Sequence, residues 1–356
     1  MWCLALITPL SIRQVQDLKG ELKNSKRMLV IHHWDSDGIA SAALIGRFAS
    51  KLGVDVRFHV PKIGLYSIEA IDLKLIDDYE PDVLLILDYG IPLRDVEKIE
   101  RVLGVNVVVI DHHLNEVRSK GFFNPVAYGS SEDEYPSTTW VLRDLIDVRE
   151  SLDLVALGVV GDLGKRLEVK KFKGEIERYA LKFGLTLNDL YRASELVDSC
   201  YRLFDYDMIC HARDLLKREG VNGVLRSCLL DEELQKLKFE VENAYLNLRL
   251  IKDGGLIKVF ELKSHSYITS LIGRGLANKF ENSIVMLVHK VEGLNLTYVY
   301  VRSNAFNLRG VLEALKKSDV NVGGKDQVFV VTCPSDSNEH VERVYDLIVK
   351  VVGDVK

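Results

Sequence analysis

No apolar run in this 356-residue sequence approaches the ~18 residues that a membrane-spanning helix requires. The first ten residues are apolar, but they lack a basic lead-in and a small-residue cleavage site, so we expect a buried strand or a docking segment there rather than a signal peptide. The five cysteines are scattered and form no C-x-x-C pair, which indicates reduced thiols and a cytoplasmic protein.

The sequence also lacks an excess of positive charge. Lys and Arg number 47 against 52 Asp and Glu, for a formal net charge of −5. Because proteins that coat duplex DNA are usually basic overall, any polyanion must be held by a few cations or through metal ions. No internal repeat or low-complexity segment is present. The length predicts about two domains, and 47% hydrophobic residues are typical of a globular protein.

Short β-branched runs alternate with helical spacing in the first part of the chain. The runs predicted to be strands are Met28–His32, Val54–Val60, Val83–Leu87 and Val105–Ile110. Helical spacing is found at Gly38–Leu52, Ser67–Tyr79 and Leu93–Val102, and again at Ser137–Asp162, with Ser137 and Ser151 as candidate N-caps. Strands that alternate with helices predict βαβ units and an open parallel sheet.

The remainder of the chain divides into a charged helical segment and a second α/β segment. After residues 165–251, which contain no strand-like run, strands are predicted at Leu256–Leu262, Ser283–His289, Thr297–Arg302 and Val328–Thr332. Helices are predicted at Tyr267–Lys279, Leu308–Lys317 and Asn338–Val351. We therefore predict an α/β protein with a parallel-sheet domain at residues 1–165, a helical extension or linker at 166–251, and a smaller α/β domain at 252–356.

Acidic and histidine residues follow three of the predicted strands at the point where each strand ends. They are His33, Asp35 and Asp37 after the first strand, Asp88 after the run at 83–87, and Asp111, His112 and His113 after the run at 105–110. Ligand sites of open α/β sheets lie at the carboxyl ends of the strands, so these side chains and Asp162 are expected to converge. Clustered carboxylates need cations, and a mixed Asp and His set suits Mn²⁺, Mg²⁺ or Zn²⁺, with the carboxylates favouring the harder ions.

Each of these features has a structural alternative when it is taken alone. The His33-x-Asp35 pair is also typical of a helix-capping cluster, Asp88 of a turn, and Asp162 of a solvated helix end. The combination is more specific, because no single structural role accounts for acids or imidazoles at three strand ends of one sheet.

In order and spacing, residues 28–165 resemble the four motifs of the DHH phosphoesterases. The motif residues are His33-x-Asp35-x-Asp37-Gly38, Asp88, Asp111-His112-His113 and Asp162. The later part, Leu256–Val351, resembles the associated C-terminal substrate-binding domain of RecJ-like exonucleases and nanoRNases. The middle segment shows little resemblance to the family.

The resemblance implies a site for two divalent metal ions, with Mn²⁺ preferred and Mg²⁺ as the alternative. One ion would be bound by His33, Asp35 and Asp88. The other would be bound by Asp37, Asp88, His112 and Asp162, with Asp88 as the bridge. The resemblance further implies that His113 faces the scissile phosphate and that Asp111 orients His112. Two cations about 4 Å apart activate a water and clamp a phosphate oxygen, so hydrolysis is the expected reaction.

Candidate substrate contacts lie in the C-terminal segment. Arg302-Ser303 follows a predicted strand, and the glycines of Gly323-Gly324-Lys325 allow a backbone to approach an anion closely. A hairpin turn with a surface lysine is the structural alternative. Many relatives carry a third glycine and a histidine where this chain has Lys325 and Asp326, a departure that bears on terminus recognition and substrate length rather than on the metal site.

The leading hypothesis is a metal-dependent phosphodiesterase, a single-strand-specific exonuclease that acts on DNA, RNA or short oligonucleotides, with replication or repair proteins as partners and no membrane association. The alternative is a hydrolase of polyphosphate, pyrophosphate or small nucleotides, because the same metal core supports that chemistry. A third hypothesis, a non-catalytic replisome scaffold, is disfavoured by the intact ligand set. The separate C-terminal domain favours nucleic acid, and the near-neutral charge favours short substrates.

Overall fold

The computed structural model describes residues 16, 18, 20, 22–65, 67–113, 121–318, 320–335 and 338–353. These residues form two compact units. Unit 1 contains the described residues up to Tyr201 together with Asp205–Leu234, and unit 2 contains Arg202–Phe204 together with those from Gln235 onward. Within the described part of the chain, no helix has both the length and the apolarity to cross a membrane. The apolar first ten residues, predicted as a strand or docking segment, lie outside it.

Unit 1 begins with strands and helices that alternate to build a parallel sheet. In chain order they are β1 (Arg27–His32), α1 (Ser36–Leu52), β2 (Asp55–His59), α2 (Ala70–Tyr79), β3 (Val83–Leu87), α3 (Leu93–Leu103), β4 (Asn106–Ile110) and β5 (Phe122–Phe123). The strand order is β2-β1-β3-β4-β5, and every neighbouring pair is parallel. The predicted parallel-sheet domain is confirmed.

The central strands of this sheet are buried on both faces. Every residue of β3 is buried, as are the last five of β1 and the last four of β4. Such continuous runs of Val, Ile and Leu are what a sheet covered by helices on both sides requires. The helix α1 ends at Gly53, whose φ of 71° is a left-handed conformation that glycine adopts without a Cβ clash.

Unit 1 continues with helices that pack beside the sheet. They are α4 (Thr138–Leu145), α5 (Leu152–Leu163), α6 (Lys173–Leu181), α7 (Leu187–Arg202), α8 (Tyr206–Glu219) and α9 (Val221–Leu225), followed by α10 (Cys228–Asn247), which begins in unit 1 and ends in unit 2. The stretch 137–162 forms two helices, which begin directly after the predicted caps Ser137 and Ser151. The segment 166–251 is thus helical as far as Asn247 and is divided between the units at Leu234.

Unit 2 is built on a mixed sheet. Its elements are β6 (Arg249–Asp253), β7 (Ile257–Ser264), α11 (Thr269–Lys279), β8 (Ile284–Val291), β9 (Leu296–Ser303), α12 (Arg309–Lys316), β10 (Asn321–Lys325), β11 (Val328–Pro334) and α13 (Asn338–Gly353). The order is β10-β11-β9-β8-β7-β6, in which only β7 and β8 pair in parallel. One face of this sheet packs with α12 and α13 around a core that includes Met286, Val301 and Phe329. The predicted smaller α/β domain is confirmed.

Two strands of unit 2, β6 and β10, were not predicted from the sequence. Both are edge strands, and all five residues of β6 are exposed, so neither carries the apolar alternation that marks a half-buried strand. The strand β10 includes Gly323 and Gly324, which favour turns. Both strands are held by ladder hydrogen bonds to a neighbour, and the pairing of β6 is reinforced by an ion pair between Arg249 and Glu261.

Candidate metal centre

The carboxyl ends of β1, β3 and β4 lie side by side in unit 1. Past the strand ends, the N–H of His33 donates to the carbonyl of Leu87 at 3.1 Å, and the N–H of Asp88 donates to the carbonyl of Ile110 at 3.0 Å. The parallel ladder therefore extends one residue beyond each strand. This extension aligns His33, Asp88 and Asp111 as neighbours across the sheet.

The loop between β1 and α1 places a histidine and a carboxylate together. Asp35 is the N-cap of α1, and its Oδ1 accepts a hydrogen bond from the N–H of Gly38 at 3.1 Å. Its other oxygen, Oδ2, lies 2.9 Å from Nδ1 of His33. A Cβ on Gly38 would lie 2.5 Å from the carbonyl oxygen of His33, so glycine is required for this loop to close. Asp35 therefore acts both as the capping residue considered above and as a candidate ligand.

Asp88 lies at the centre of the cluster and is 1% exposed. Its Oδ2 is 3.9 Å from Nδ1 of His33, and its Oδ1 is 3.6 Å from Nε2 of His112. The hydroxyl of Thr138 donates to Oδ1 at 2.9 Å. The φ of Asp88 is 58°, a left-handed conformation that is uncommon outside glycine and marks functional sites when the surrounding structure enforces it.

A second group of donors is formed by Asp37, His112 and Asp162. Nε2 of His112 lies 3.0 Å from Oδ2 of Asp162 at the end of α5. Asp37 is fully buried, and its two oxygens accept hydrogen bonds from the backbone N–H groups of Thr138 and Thr139 at 2.5 and 3.0 Å. These bonds cap α4 and fix the orientation of the Asp37 carboxylate toward the other two side chains.

Asp111 holds the loop that carries the two histidines. Its Oδ1 accepts from the backbone N–H groups of His112 and His113 at 2.7 and 3.0 Å, and lies 2.7 Å from Nδ1 of the His113 ring. Asp111 contacts His112 through the backbone N–H, whereas Nδ1 of the His112 ring faces the carbonyl of Tyr135 at 3.3 Å. The imidazole that Asp111 orients is that of His113.

Burial and mutual repulsion shift the protonation of the cluster. Desolvation, followed by repulsion from Asp37, raises the pKa of Asp88 well above its usual range. Desolvation and then Asp162 raise the pKa of Asp37 to about 7. For His112, desolvation would lower the pKa, but Asp162 and other carboxylates outweigh it and raise the pKa to about 10. The folded cluster therefore disfavours the negative charge of its buried carboxylates, and a bound cation would offset this repulsion.

The donor set fits divalent metal ions. Three sets of donors have ligand atoms within 4.8 Å of one another, namely His33 with Asp35 and Asp88, Asp37 with His112 and Asp162, and Asp88 with His112 and His113. Oδ2 of Asp88 is buried and makes no hydrogen bond to any described residue. Buried polar atoms are normally satisfied, so this oxygen is suited to bind a cation.

Two of the candidate substrate residues of unit 2, Arg302 and Lys325, lie on one face of its sheet. Lys325 is paired with Val328 and Val328 with Arg302, so the two cations stand in one row with about 10 Å between their Cα atoms. Lys325 is exposed and Arg302 is half-buried, with Nη1 of Arg302 3.4 Å from the hydroxyl of Tyr300. The predicted Gly323-Gly324-Lys325 loop is the edge strand β10, which corresponds to the hairpin alternative.

The glycines and the serine beside these cations in sequence have different roles. A Cβ on Gly323 would meet nothing within 4 Å, which leaves the surface open, whereas a Cβ on Gly324 would lie 2.4 Å from the carbonyl oxygen of Val328. Gly324 is therefore required by the hairpin itself. Ser303 is fully buried, and its hydroxyl donates to the carbonyl of Ser283 at 3.0 Å. That hydroxyl also accepts from two N–H groups of the following turn, so Ser303 stabilises the end of the strand.

Three residues that contact the metal-site loops were not predicted. The hydroxyl of Thr138 donates to Asp88, and its position next to the predicted N-cap Ser137 is the sequence feature that could have indicated it. Asn124 donates to the carbonyl of His113 at 2.8 Å, and its own carbonyl accepts from two backbone N–H groups, which is typical of an Asn-Pro turn. Asp198 accepts from Ser36 across 162 residues of sequence, and no local pattern marks such a contact.

Part of the chain is similar in sequence to known proteins. Residues 27–159 match the family model described as the DHH family, N-terminal domain. The single-stranded-DNA-specific exonuclease RecJ of Bacillus subtilis (strain 168) is 23% identical over 164 residues, which is 41% of this chain but only 20% of that relative. The match thus spans about a fifth of the relative's length.

Solved structures share the fold over nearly the whole chain. The DHH domain of a protein described as a member of a family of ribosomal proteins superposes with a TM-score of 0.65 at 16% identity, over 98% of this chain and 93% of that one. RecJ from Thermus thermophilus in complex with Mn²⁺ superposes with a TM-score of 0.62 at 18% identity, over 93% of this chain and 53% of that one. At these identities the likeness establishes the shared fold.

Proposed function

Because the chain belongs to the DHH superfamily of phosphoesterases, we propose that it is a metal-dependent phosphodiesterase that removes nucleotides from an end of single-stranded DNA, RNA or short oligonucleotides. The observation that carries the proposal is the sharing of Asp88 between two sets of metal donors. Asp88 lies in one set with His33 and Asp35, and its Oδ1 lies 3.6 Å from Nε2 of His112, which belongs to the set with Asp37 and Asp162. A carboxylate that faces both sets is suited to bridge two divalent ions.

The candidate ligands of unit 1 would form two metal-binding sets. His33, Asp35 and Asp88 would bind one ion, and Asp37, Asp88, His112 and Asp162 the other, with Mn²⁺ preferred. Ions bound there would supply an activated water and neutralise charge on the phosphate. Thr138 and the N-terminus of α4 hold Asp88 and Asp37 in place, so the donors are oriented before an ion arrives.

His113 is assigned to the substrate rather than to a metal ion. Its side chain is 49% exposed, whereas that of His112 is 12% exposed. Burial would lower the pKa of His113, but Asp111 outweighs this effect and raises it. With Nδ1 directed at Asp111, Nε2 is left to donate to a phosphoryl oxygen on which negative charge develops.

Unit 2 would contribute cations that contact substrate phosphates. The Cα atoms of Arg302 and Lys325 lie about 10 Å apart on the same face of the sheet. Gly323, two residues before Lys325 on that face, is exposed, and a Cβ there would meet no atom within 4 Å. Phosphate contacts position a nucleic acid without reading its sequence. The balance of 47 Lys and Arg against 52 Asp and Glu supports short single strands rather than long duplex. The name of the Bacillus subtilis relative, a single-stranded-DNA-specific exonuclease, supports the same substrate class.

Parallel product analysis tests the proposal. Labelled single-stranded DNA, RNA, dinucleotides, polyphosphate and pyrophosphate are incubated with Mn²⁺ and, in matched reactions, after chelation. An Asp88→Asn protein purified in the same way controls for contaminating nucleases. We expect Mn²⁺-dependent release of mononucleotides from at least one single-stranded substrate. If pyrophosphate is turned over rapidly while an oligonucleotide at matched phosphate concentration neither reacts nor competes, the protein is a phosphoanhydride hydrolase instead.

A further inference from the structure

The metal-site loop after β1 alternates between residues that face the donor cluster and residues that face the protein. His33, Asp35 and Asp37 are the candidate ligands, and they alternate with Trp34 and Ser36, each of which is 1% exposed. The ring of Trp34 packs edge-on against Tyr89 with centroids 6.0 Å apart. Ser36 therefore lies between two candidate ligands, so a contact that holds Ser36 also restrains the main chain of Asp35 and Asp37.

Ser36 is held by a carboxylate from a distant helix. Oδ1 of Asp198, on α7, accepts from the backbone N–H of Ser36 at 2.9 Å and from its hydroxyl at 2.6 Å. The hydroxyl also lies 3.0 Å from the hydroxyl of Ser194, one turn earlier on α7. Because Ser36 is the first residue of α1, its N–H has no partner within the helix, and Asp198 satisfies it.

A third helix closes the other side of Ser36. A Cβ on Gly161 of α5 would lie 2.7 Å from Cβ of Ser36, so the α5 backbone approaches the loop as closely as a glycine permits. The next residue on α5 is Asp162, another candidate ligand. Ser36 is thus the point at which α1, α5 and α7 meet, directly between residues of both donor sets.

We propose that Asp198 is a positioning residue for the metal centre, which fixes Asp35 and Asp37 through its two hydrogen bonds to Ser36. The inference rests on the proposed function, since it assumes that those carboxylates bind metal. It also assigns a role to part of the 166–251 segment, for which the sequence indicates none. Groups that orient metal ligands from outside typically contribute 10–100-fold to metal affinity.

Calorimetric titration of the metal-free protein with Mn²⁺ tests the proposal without reference to activity. Asp198→Ala should bind Mn²⁺ roughly 10–100-fold more weakly than the wild type. Asp198→Asn keeps an oxygen acceptor at the same place and should bind within about fivefold of wild type, because it loses only the charge-assisted part of the hydrogen bonds. Glu195→Gln removes a charge from an exposed position on the same helix and should leave the affinity unchanged.

Ser36→Ala provides a second, milder perturbation if Asp198→Ala does not fold. It keeps the backbone N–H bond and should weaken Mn²⁺ binding less than Asp198→Ala does. The double variant should bind about as weakly as Asp198→Ala alone, since both changes remove parts of one interaction. The melting temperature of each metal-free protein is measured alongside, and a purely structural role would lower it without changing the affinity of the folded protein.

The outcomes separate this proposal from the one on which it rests. A wild-type protein that binds no divalent ion overturns the proposed function itself. Wild-type affinity in both Asp198→Ala and Ser36→Ala overturns the positioning role alone. Equal weakening in Asp198→Asn and Asp198→Ala would assign the effect to the charge of Asp198 rather than to its hydrogen bonds, and would also overturn the positioning role.

Discussion

Asp111 and His113 are joined twice through a single carboxylate oxygen. Oδ1 of Asp111 accepts from the backbone N–H of His113 at 3.0 Å and lies 2.7 Å from Nδ1 of its ring. The main chain and the imidazole of His113 are therefore fixed together. The two adjacent imidazoles therefore have different carboxylate partners, because Nε2 of His112 lies 3.0 Å from Oδ2 of Asp162.

The two histidines should respond differently to the same substitution. His113→Ala should keep its metal content and lower kcat by roughly 10²–10³, the scale on which one transition-state donor acts. His112→Ala should lose metal, because His112 belongs to two of the three donor sets. Metal content by elemental analysis and kcat under saturating Mn²⁺ are measured together, with His265→Ala, an exposed histidine of unit 2, as the control. Equal metal loss in both variants would contradict the assignment.

Asp88→Asn should uncouple metal binding from the stability of the metal-free protein. Asparagine tolerates the left-handed conformation of Asp88, so the backbone should be retained. The raised pKa of Asp88 means that the folded state disfavours its charge at neutral pH, where the unfolded chain is ionised. Without metal, Asp88→Asn should therefore melt at a higher temperature than the wild type, by roughly 2–4 °C per kcal/mol of repulsion relieved. Mn²⁺ should stabilise the wild type but not the variant.

Differential scanning calorimetry with and without Mn²⁺ measures both effects of Asp88→Asn. Asp147→Asn is the matched control, because it removes a carboxylate that is exposed and lies outside the donor cluster. A variant that Mn²⁺ still stabilises as strongly as the wild type would show that Asp88 is not a shared ligand.

The sheet of unit 1 and the meeting of its strand ends follow from patterns that the sequence displays. The strand Val83–Leu87 was predicted with its observed bounds, because a strand that is buried on both faces consists only of apolar residues and ends where polar residues begin. Contacts that depend on tertiary structure left no such pattern. Asp198 reaches Ser36 across 162 residues, and Asp111 selects the ring of His113 through a rotamer that no spacing indicates. The edge strand β10 was missed because its ladder partner, and not its composition, makes it a strand.

Substitution of the cations on the unit 2 sheet should affect substrate binding more than turnover. Arg302→Ala and Lys325→Ala should each raise KM more than they lower kcat, which is the signature of lost uniform binding. Each should also reduce the salt dependence of oligonucleotide binding by about one phosphate contact. Lys316→Ala, an exposed lysine on α12, is the matched control. Unchanged KM and salt dependence in both variants would exclude this face as the substrate contact.

Acid should destabilise unit 2 through His289. This imidazole is fully buried between the hydroxyls of Ser264 and Thr269, at 2.8 and 2.7 Å, and desolvation lowers its pKa from 6.5 to about 4. Above pH 6.5 the residue is neutral in both states, but between pH 6.5 and 4 only the unfolded chain takes up the proton. Unfolding therefore becomes more favourable as the pH falls, by about 3 kcal/mol at pH 4. Hydrogen exchange of the β8 amides, compared at about pH 7 and about pH 4.5 after correction for the intrinsic rate, measures this loss. His289→Gln should make the stability of unit 2 less dependent on pH, whereas His265→Gln, at an exposed position, should leave the pH dependence unchanged. An equal pH dependence in His289→Gln and the wild type would assign the acid sensitivity to other groups.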